Sequence, residues 1–520
     1  MTDPESEKSP ALLPDSRDAR LRRLTSGAVL VRSSIWNLAG QTVPLVVAIP
    51  ALPFLIGKLG IDRFGVLTLI WVAIGYFSLF DLGMGRALTQ LIARRLGEEG
   101  GVNIGFIVRR GLALMLCISI LGSCLVWFLA PWLARQILNV PVFLEHESIV
   151  SLRIVAVALP FIVTSSGLTG ILMAYQRFGL VNVIRIPAAT LSIVLPVVAA
   201  LFSPSLEWTT TTIVLTRIAA WAAYATACMR AFALGASVSG GSSQEIRELI
   251  RLGGWISISN VVGPVLVYLD RFVIAGLISA AAVAYYSTPY EVITKLWIVP
   301  GGIVTVLFSA FATSYVSDKN KSFSLFVQGT KYVFFALFPI VLGVVLFSSE
   351  VLNAWLGAEF AHNSTFVLQI LALGVLVNSL ALVPNLFITG VGQPDKVAKI
   401  HLVELVIYLP ILVFMTARYG IDGAALAWAF RVTADAVFLY AGAFVMLPAG
   451  NAFLRQMAIA ALASCAAFGL AFSLSGVIVK LSFLLALTVL LAFFTWNIFL
   501  KSEERSFVRS MLSAALRPAK

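Results

Sequence analysis

Charge is what this chain has least of. Only 12% of its 520 residues are Asp, Glu, Lys or Arg, and 59% are hydrophobic. A soluble domain carries roughly 25% charged residues, so the chain lacks the surface that a water-soluble globule needs. Histidine is scarce too, with 3 residues, and the four cysteines (Cys117, Cys124, Cys228, Cys465) all fall inside apolar segments. None stands in a CxxC or Cys/His ligand spacing, so they read as reduced core residues, and no metal site is expected. The phosphate-binding pattern GxxxxGK[ST] is missing, which argues against ATP-driven pumping by this chain alone. The opening MTDPESEKSP is polar and acidic, unlike a signal peptide, and is expected to form a short disordered tail. A net charge of +12 raises the question of nucleic acid. The basic residues are better placed in the inner loops of a membrane protein, and no nucleic-acid partner is expected.

Long apolar runs are what the chain does have, and its mean hydropathy is +0.95. About 20 apolar residues cross the hydrocarbon as a helix. Fourteen such spans are predicted near 33–56, 65–92, 107–130, 149–173, 186–203, 209–229, 253–275, 283–313, 332–347, 365–389, 401–417, 424–446, 457–474 and 481–499. With the N-terminus placed inside, 26 of the 37 Lys and Arg fall on the inner side, 5 on the outer side and 6 within spans. That asymmetry predicts both termini in the cytoplasm.

Shifted by 219 residues, the chain meets itself: Arg32 with Arg251, Trp36 with Trp255, Gly57 with Gly276, Gly83 with Gly302. Further on, the stretch beginning at residue 171 resembles the one beginning at 386, at an offset of 214 to 215. Six crossings per copy bring both copies in from the same side, a parallel repeat about an axis along the membrane normal. The expected fold is therefore an all-α polytopic membrane protein of about 14 transmembrane helices. It has two pseudo-twofold-related six-helix lobes plus two C-terminal helices. The predicted divisions are a cytoplasmic tail (1–32), an N-lobe (33–230), a cytoplasmic linker (231–252), a C-lobe (253–446), helices 13 and 14 (447–500) and a cytoplasmic tail (501–520). In transporters built this way the substrate site lies where the repeats meet.

Nine ionisable residues lie well inside the predicted spans: Asp81, Arg86, Arg217, Asp270, Arg271, Glu291, Lys295, Arg431 and Asp435. At ~3 kcal/mol per central charge, nine facing lipid would cost roughly 27 kcal/mol. A typical net stability is about 5–15 kcal/mol, so they are expected to face the protein interior or a wet cavity. Arg153 and Glu404 stand nearer helix ends and are expected to snorkel. Glu291 with Lys295, and Arg431 with Asp435, are four apart and predict intrahelical ion pairs. Asp81 and Arg86 lie about 140° apart around the helix, Asp270 and Arg271 about 100° apart. Each of these four is expected to seek a partner on another helix. Arg217 has no local acid and is the clearest candidate for an anion ligand. Gly83 and Gly85 permit close helix approach or local unwinding.

The stretch "LIGKLGIDRFGVLTLIWVAIGYFSLFDLGMGRALTQLIARRL" (55–96) resembles the second-helix signature of bacterial polysaccharide (Wzx-type) flippases, of the multidrug/oligosaccharidyl-lipid/polysaccharide exporter superfamily. "LDRFVIAGLISAAAVAYYSTPYEV" (269–292) is similar to the matching segment that opens the second half. The resemblance covers about residues 30–500. It implies a transporter in the bacterial inner membrane that flips an undecaprenyl-pyrophosphate-linked oligosaccharide, driven by counterflow of H⁺ or Na⁺, with no other cofactor. Arg86, Arg217, Arg271, Lys295 and Arg431 then become the expected substrate ligands, since Arg pairs with phosphate through two parallel bonds. Asp81, Asp270, Glu291 and Asp435 become the expected ion-coupling acids. Membrane lipids, a polysaccharide polymerase and glycosyltransferases are the partners implied.

A lipid II flippase or a drug/cation antiporter of the same superfamily would share the fold. The antiporter should carry a net acidic, aromatic site, whereas these spans hold five cations against four acids. A membrane glycosyltransferase or polymerase is the remote rival. Its outer loops should be large, and here the longest lie near 131–148 and 348–364. Glu145, His146 and Glu147 in the first are adjacent residues that cannot converge as a catalytic site unaided. No catalytic residue is assigned.

Overall fold

A computed structural model describes residues 27–77, 83–97, 104–231, 265–448, 451–496 and 505. Asp81, Arg251, Trp255, most of the linker and much of both tails lie outside them. The described residues contain helices and no strand, as the composition requires: a span in lipid must satisfy its backbone internally. The elements are α1 (Gly27–Leu59), α2 (Ile61–Phe77), α3 (Met84–Gly97), α4 (Ile104–Trp132), α5 (Glu145–Ala174), α6 (Phe178–Phe202) and α7 (Leu206–Ala231). Next come α8 (residues 265–277) and α9 (Ala280–Ile293). The rest are α10 (Ile298–Ser317), α11 (Lys319–Leu356), α12 (Ala358–Gly390), α13 (Pro394–Met446), α14 (Asn451–Ser473) and α15 (Val477–Phe494).

Ten helices of the described residues are long and apolar enough to cross a membrane. The seventh expected crossing, 253–275, lies partly outside the described residues, and three other predicted spans meet breaks or turns in their helices. α13 runs 53 residues, but Gly420 at φ 64°, ψ −144° turns it into two legs. A Cβ on Gly423 would lie 2.0 Å from the Met415 carbonyl oxygen, so the legs are close neighbours at the turn. The second crossing was expected to be continuous over 65–92. Instead, Gly83 sits at φ +68° directly before α3, a conformation that glycine tolerates and an L side chain does not. The eighth, expected over 283–313, is interrupted by a 3₁₀ turn, Thr294–Trp297. Pro300 has no N–H to donate to the Leu296 carbonyl, and the regular helix gives way just there. The two interrupted crossings stand at equivalent places in the sequence repeat.

The chain divides into two compact units: residues 1–58, 74–128 and 150–257, and residues 59–73, 129–149 and 258–520. In the first, Met84, Leu88, Leu91, Met115, Val163, Leu172 and Cys228 pack into one core from α3, α4, α5 and α7. Small residues let these backbones approach: a Cβ on Gly170 would meet the Gly85 carbonyl oxygen at 2.5 Å, and Thr89 Oγ1 donates to the Gly170 carbonyl at 3.0 Å. In the second unit, Trp428 of α13 is fully buried against Gly374 of α12, where a Cβ would lie 2.2 Å from its ring. α15 has no buried residue, and Phe128, Val445 and Ile478 are among many large apolar side chains left bare. In water such a surface would drive aggregation; in hydrocarbon it is the natural exterior.

Proline placement shows the same solvent at work. A proline inside a helix frees the carbonyl four residues earlier. Pro160 frees Ala156, and Ser123 of α4 donates to that oxygen at 2.7 Å. Pro289 frees Tyr285, which accepts from Ser364 of α12 at 2.8 Å. Pro384 frees Leu380, which accepts from the Tyr440 hydroxyl of α13 at 3.2 Å. Three lost backbone bonds are each replaced by a hydroxyl from a neighbouring helix, which also ties the two helices together.

Replacing Ser123 with Ala should therefore lower stability by about 1 kcal/mol, read as a lower unfolding temperature in detergent. In a Pro160→Ala background, which restores the backbone N–H, the same substitution should cost much less. Equal losses in both backgrounds would contradict the pairing.

Candidate functional site

Four of the expected site residues come together in the second unit. Asp270 and Arg271 on α8 are both fully buried, and they pair directly, Arg271 Nη1 to Asp270 Oδ1, at 3.1 Å. The 100° separation had predicted partners on other helices only; the long guanidinium instead folds back along its own helix, where Nη1 also donates to the Val267 carbonyl at 2.7 Å. Partners across the interface exist as well. Tyr286 of α9 donates to Asp270 Oδ2 at 2.6 Å, and Arg271 Nη2 reaches Glu291 Oε1 at 3.3 Å. The other oxygen of Glu291 lies 3.5 Å from Lys295 Nζ, the expected four-apart pair, and both side chains are 48% exposed. A charge relay thus runs Asp270–Arg271–Glu291–Lys295, from a dry interior to an open edge.

Aromatic rings enclose its buried end. The Arg271 guanidinium lies 4.2 Å from the Tyr290 ring centroid and 5.2 Å from that of Tyr268. Tyr290 stacks on Tyr286 at 6.2 Å and meets Trp428 edge-on at 5.4 Å. An arginine spread over an aromatic face gains cation–π attraction that is strongest where water is excluded. Sequence reasoning missed these rings. The recurrence of Tyr286 and Tyr290 one helical turn apart was the available signal.

The second pairing prediction, Arg431 with Asp435, is corrected by the structure. Arg431 Nη1 lies 3.9 Å from Glu404 Oε2, on the other leg of α13, and its guanidinium is 5.6 Å from the Tyr408 ring. Asp435 Oδ1 instead faces His401 Nε2 at 3.5 Å. Glu404 was expected to snorkel; it is 4% exposed. The reason is the turn at Gly420, which lays residue 404 opposite residues 431 to 435. His401, absent from the expected site, is brought in by the same fold.

The remaining cations lie in the first unit. Arg217 of α7 is half-buried, no acid pairs with it among the described residues, and its Nε is buried without a hydrogen-bond partner. One and two turns further along α7, Trp221 packs on Phe161 and Tyr224 is buried. Arg86 is exposed on α3. Arg153, expected to snorkel, is half-buried, with its guanidinium 5.5 Å from the Trp127 ring. Asp81 lies outside the described residues. In the first turn of α5, Glu145 pairs with Arg135 at 2.5 Å and Glu147 takes two bonds from Arg63, at 2.9 and 2.7 Å. Those acids are committed to separate arginines.

Residues 30–315, more than half of the chain, match the family described as "Polysaccharide biosynthesis protein". Among curated proteins, the chain is 29% identical over 418 residues to a Shigella flexneri protein named "Putative O-antigen transporter", covering 79% of this chain and 96% of that one. Among solved structures, it is similar to the lipid II flippase MurJ in an inward closed conformation, with a TM-score of 0.69 and 12% identity over 93% of this chain and 100% of that one. A multidrug resistance MATE family transporter of the MOP superfamily, in an inward-facing conformation, gives 0.65 and 15% over 78% and 97%. At these identities the structural likeness speaks for the fold alone, which the chain shares with both transporters.

Arg271→Ala should destabilise the protein by about 3–5 kcal/mol, because it leaves Asp270 buried without its counter-charge. Asp270→Asn combined with Arg271→Gln should recover most of that loss. Thermal unfolding in detergent measures both, and a double variant as unstable as Arg271→Ala would refute the pairing energetics.

Proposed function

From the premise that this chain belongs to the polysaccharide biosynthesis protein family, we propose that it flips a lipid-linked oligosaccharide, carried on undecaprenyl pyrophosphate, from the cytoplasmic to the outer leaflet of the bacterial inner membrane. It works by alternating access between its two repeats (33–230 and 253–446), with both termini in the cytoplasm, and H⁺ or Na⁺ counterflow drives the cycle. The glycosyltransferases that build the oligosaccharide and the polymerase that extends it are its functional partners.

The observation that carries this reading is Arg217. A guanidinium at the middle of a membrane helix costs about 3 kcal/mol. Among the described residues no acid offsets that cost, so the side chain is reserved for an anion from outside the protein. A pyrophosphate offers such an anion, with paired oxygens that match the guanidinium fork. In this reading exposed Arg86 and half-exposed Lys295 are further cations for the same anion. Arg271 is paired with Asp270 and Glu291 through its two terminal nitrogens in this conformation, so it would reach a headgroup only after that relay opens.

Coupling falls to the same relay. Glu291 joins the buried pair to Lys295 and is half exposed, so an ion arriving at its carboxylate would release Arg271 and Lys295 together. Asp270, Asp81 and Asp435 are the further acids assigned to this role. The interrupted second and eighth crossings support a transporter cycle: broken helices at corresponding places in two repeats are where such proteins form their sites.

Arg217→Ala should abolish export of surface polysaccharide, measured by gel analysis of cell-surface glycan, while the amount of protein in the membrane stays normal. Wild-type export by that variant would sink the assignment. Glu291→Gln should fold normally and make residual flipping in proteoliposomes insensitive to ionophores that collapse the ion gradient. Unchanged ionophore sensitivity would remove Glu291 from coupling.

A further inference from the structure

The two legs of α13 bring together a donor set of which the flippase reading uses only Asp435, as an ion-coupling acid. His401 and Glu404 stand three apart, on one face of the first leg. Asp435 projects from the second leg, 15 residues beyond Gly420, and Glu404 lies 16 residues before it. One imidazole nitrogen and one oxygen from each carboxylate all lie within 4.8 Å of one another. Glu404 is 4% exposed and Asp435 6%, and neither Glu404 oxygen nor Asp435 Oδ1 has a hydrogen-bond partner. Buried carboxylate oxygens without donors are rare in folded proteins and call for a bound group. The nearest cation, Arg431, stops 3.9 Å short of Glu404, beyond hydrogen-bond reach.

We propose that His401, Glu404 and Asp435 bind one divalent cation of the zinc class. Hard ions such as Mg²⁺ and Ca²⁺ favour all-oxygen cages, whereas imidazole with carboxylates suits Zn²⁺ and its first-row neighbours. Two carboxylates balance the ion's charge. His401 is 30% exposed, the most open of the three, and lies about 10 Å along the helix from Pro394, so the ion enters from that end of α13. A bound ion pins the two legs of the hairpin far from their turn. Arg431 serves as the competing cation: it partly offsets the carboxylates when no metal is bound and opposes metal entry.

Purified protein carrying no polyhistidine tag, stripped with chelator, is titrated with Zn²⁺ by calorimetry. One saturable site per chain is expected. His401→Ala, Glu404→Gln and Asp435→Asn should each weaken it at least ~10-fold, while Arg431→Gln should tighten it several-fold. Zn²⁺, but not Mg²⁺, should raise the unfolding temperature of the wild type and of Arg431→Gln, and this shift should vanish in His401→Ala. Absence of a site, or a site indifferent to all three ligand substitutions, overturns the proposal. So does preferential binding of Na⁺ or Mg²⁺, which would mark a hard-ion site, or weaker Zn²⁺ binding by Arg431→Gln. Because the readout is binding, the result stands apart from whether the protein flips a lipid-linked glycan.

Discussion

Hydrocarbon offers no hydrogen bonds and little dielectric screening, and that constraint organises this molecule from backbone to charged site. Every polar group carried into the spans must find its partner in the protein. Three of the prolines inside helices show this at the scale of a single bond, each freed oxygen met by a Ser or Tyr hydroxyl from an adjacent helix. In water the same carbonyls would be satisfied by solvent, and those hydroxyls would have no reason to be where they are.

The same constraint sorts the charges into two kinds. Asp270 and Arg271 are neutralised inside the protein, by each other, by Glu291, by the Tyr286 hydroxyl and by the face of Tyr290. Their charges offset one another within the protein, although Arg271 Nε has no hydrogen-bond partner, and the set opens outward at Glu291 and Lys295. Arg217, and the carboxylates of Glu404 and Asp435, are by contrast incomplete among the described residues. Incomplete groups in a low-dielectric setting are where an external ligand gains most, because binding removes a standing penalty as well as adding an attraction. A cation and an acidic pair left open in this way point to ligands of opposite sign.

Helix breaks do comparable work for the backbone. Gly83, the 3₁₀ turn before Pro300 and the reversal at Gly420 interrupt what hydropathy alone would draw as continuous rods. Unwound backbone inside a membrane protein is tolerated only where protein or a water-lined cavity satisfies it. Lys295 sits in one such break, and Gly83 lies three residues before Arg86 in another. Charge and irregular backbone coincide because each requires the same sheltered surroundings.

Much of this was legible in the chain itself. Long apolar runs dictate helices that cross a bilayer, whatever their packing, so the crossings and the all-α class followed from composition and length. The four-apart spacing of Glu291 and Lys295 was sufficient for their pair, since helix geometry is local. Interactions between residues far apart in sequence were not legible. That Arg431 faces Glu404 rather than Asp435, and that His401 joins them, depends on a glycine turning one long helix back on itself. That Arg271 is sealed beneath Tyr290 depends on α9 packing against α8. Periodicity reports which way a side chain leaves its own helix; only the packing of helix on helix decides what it meets there.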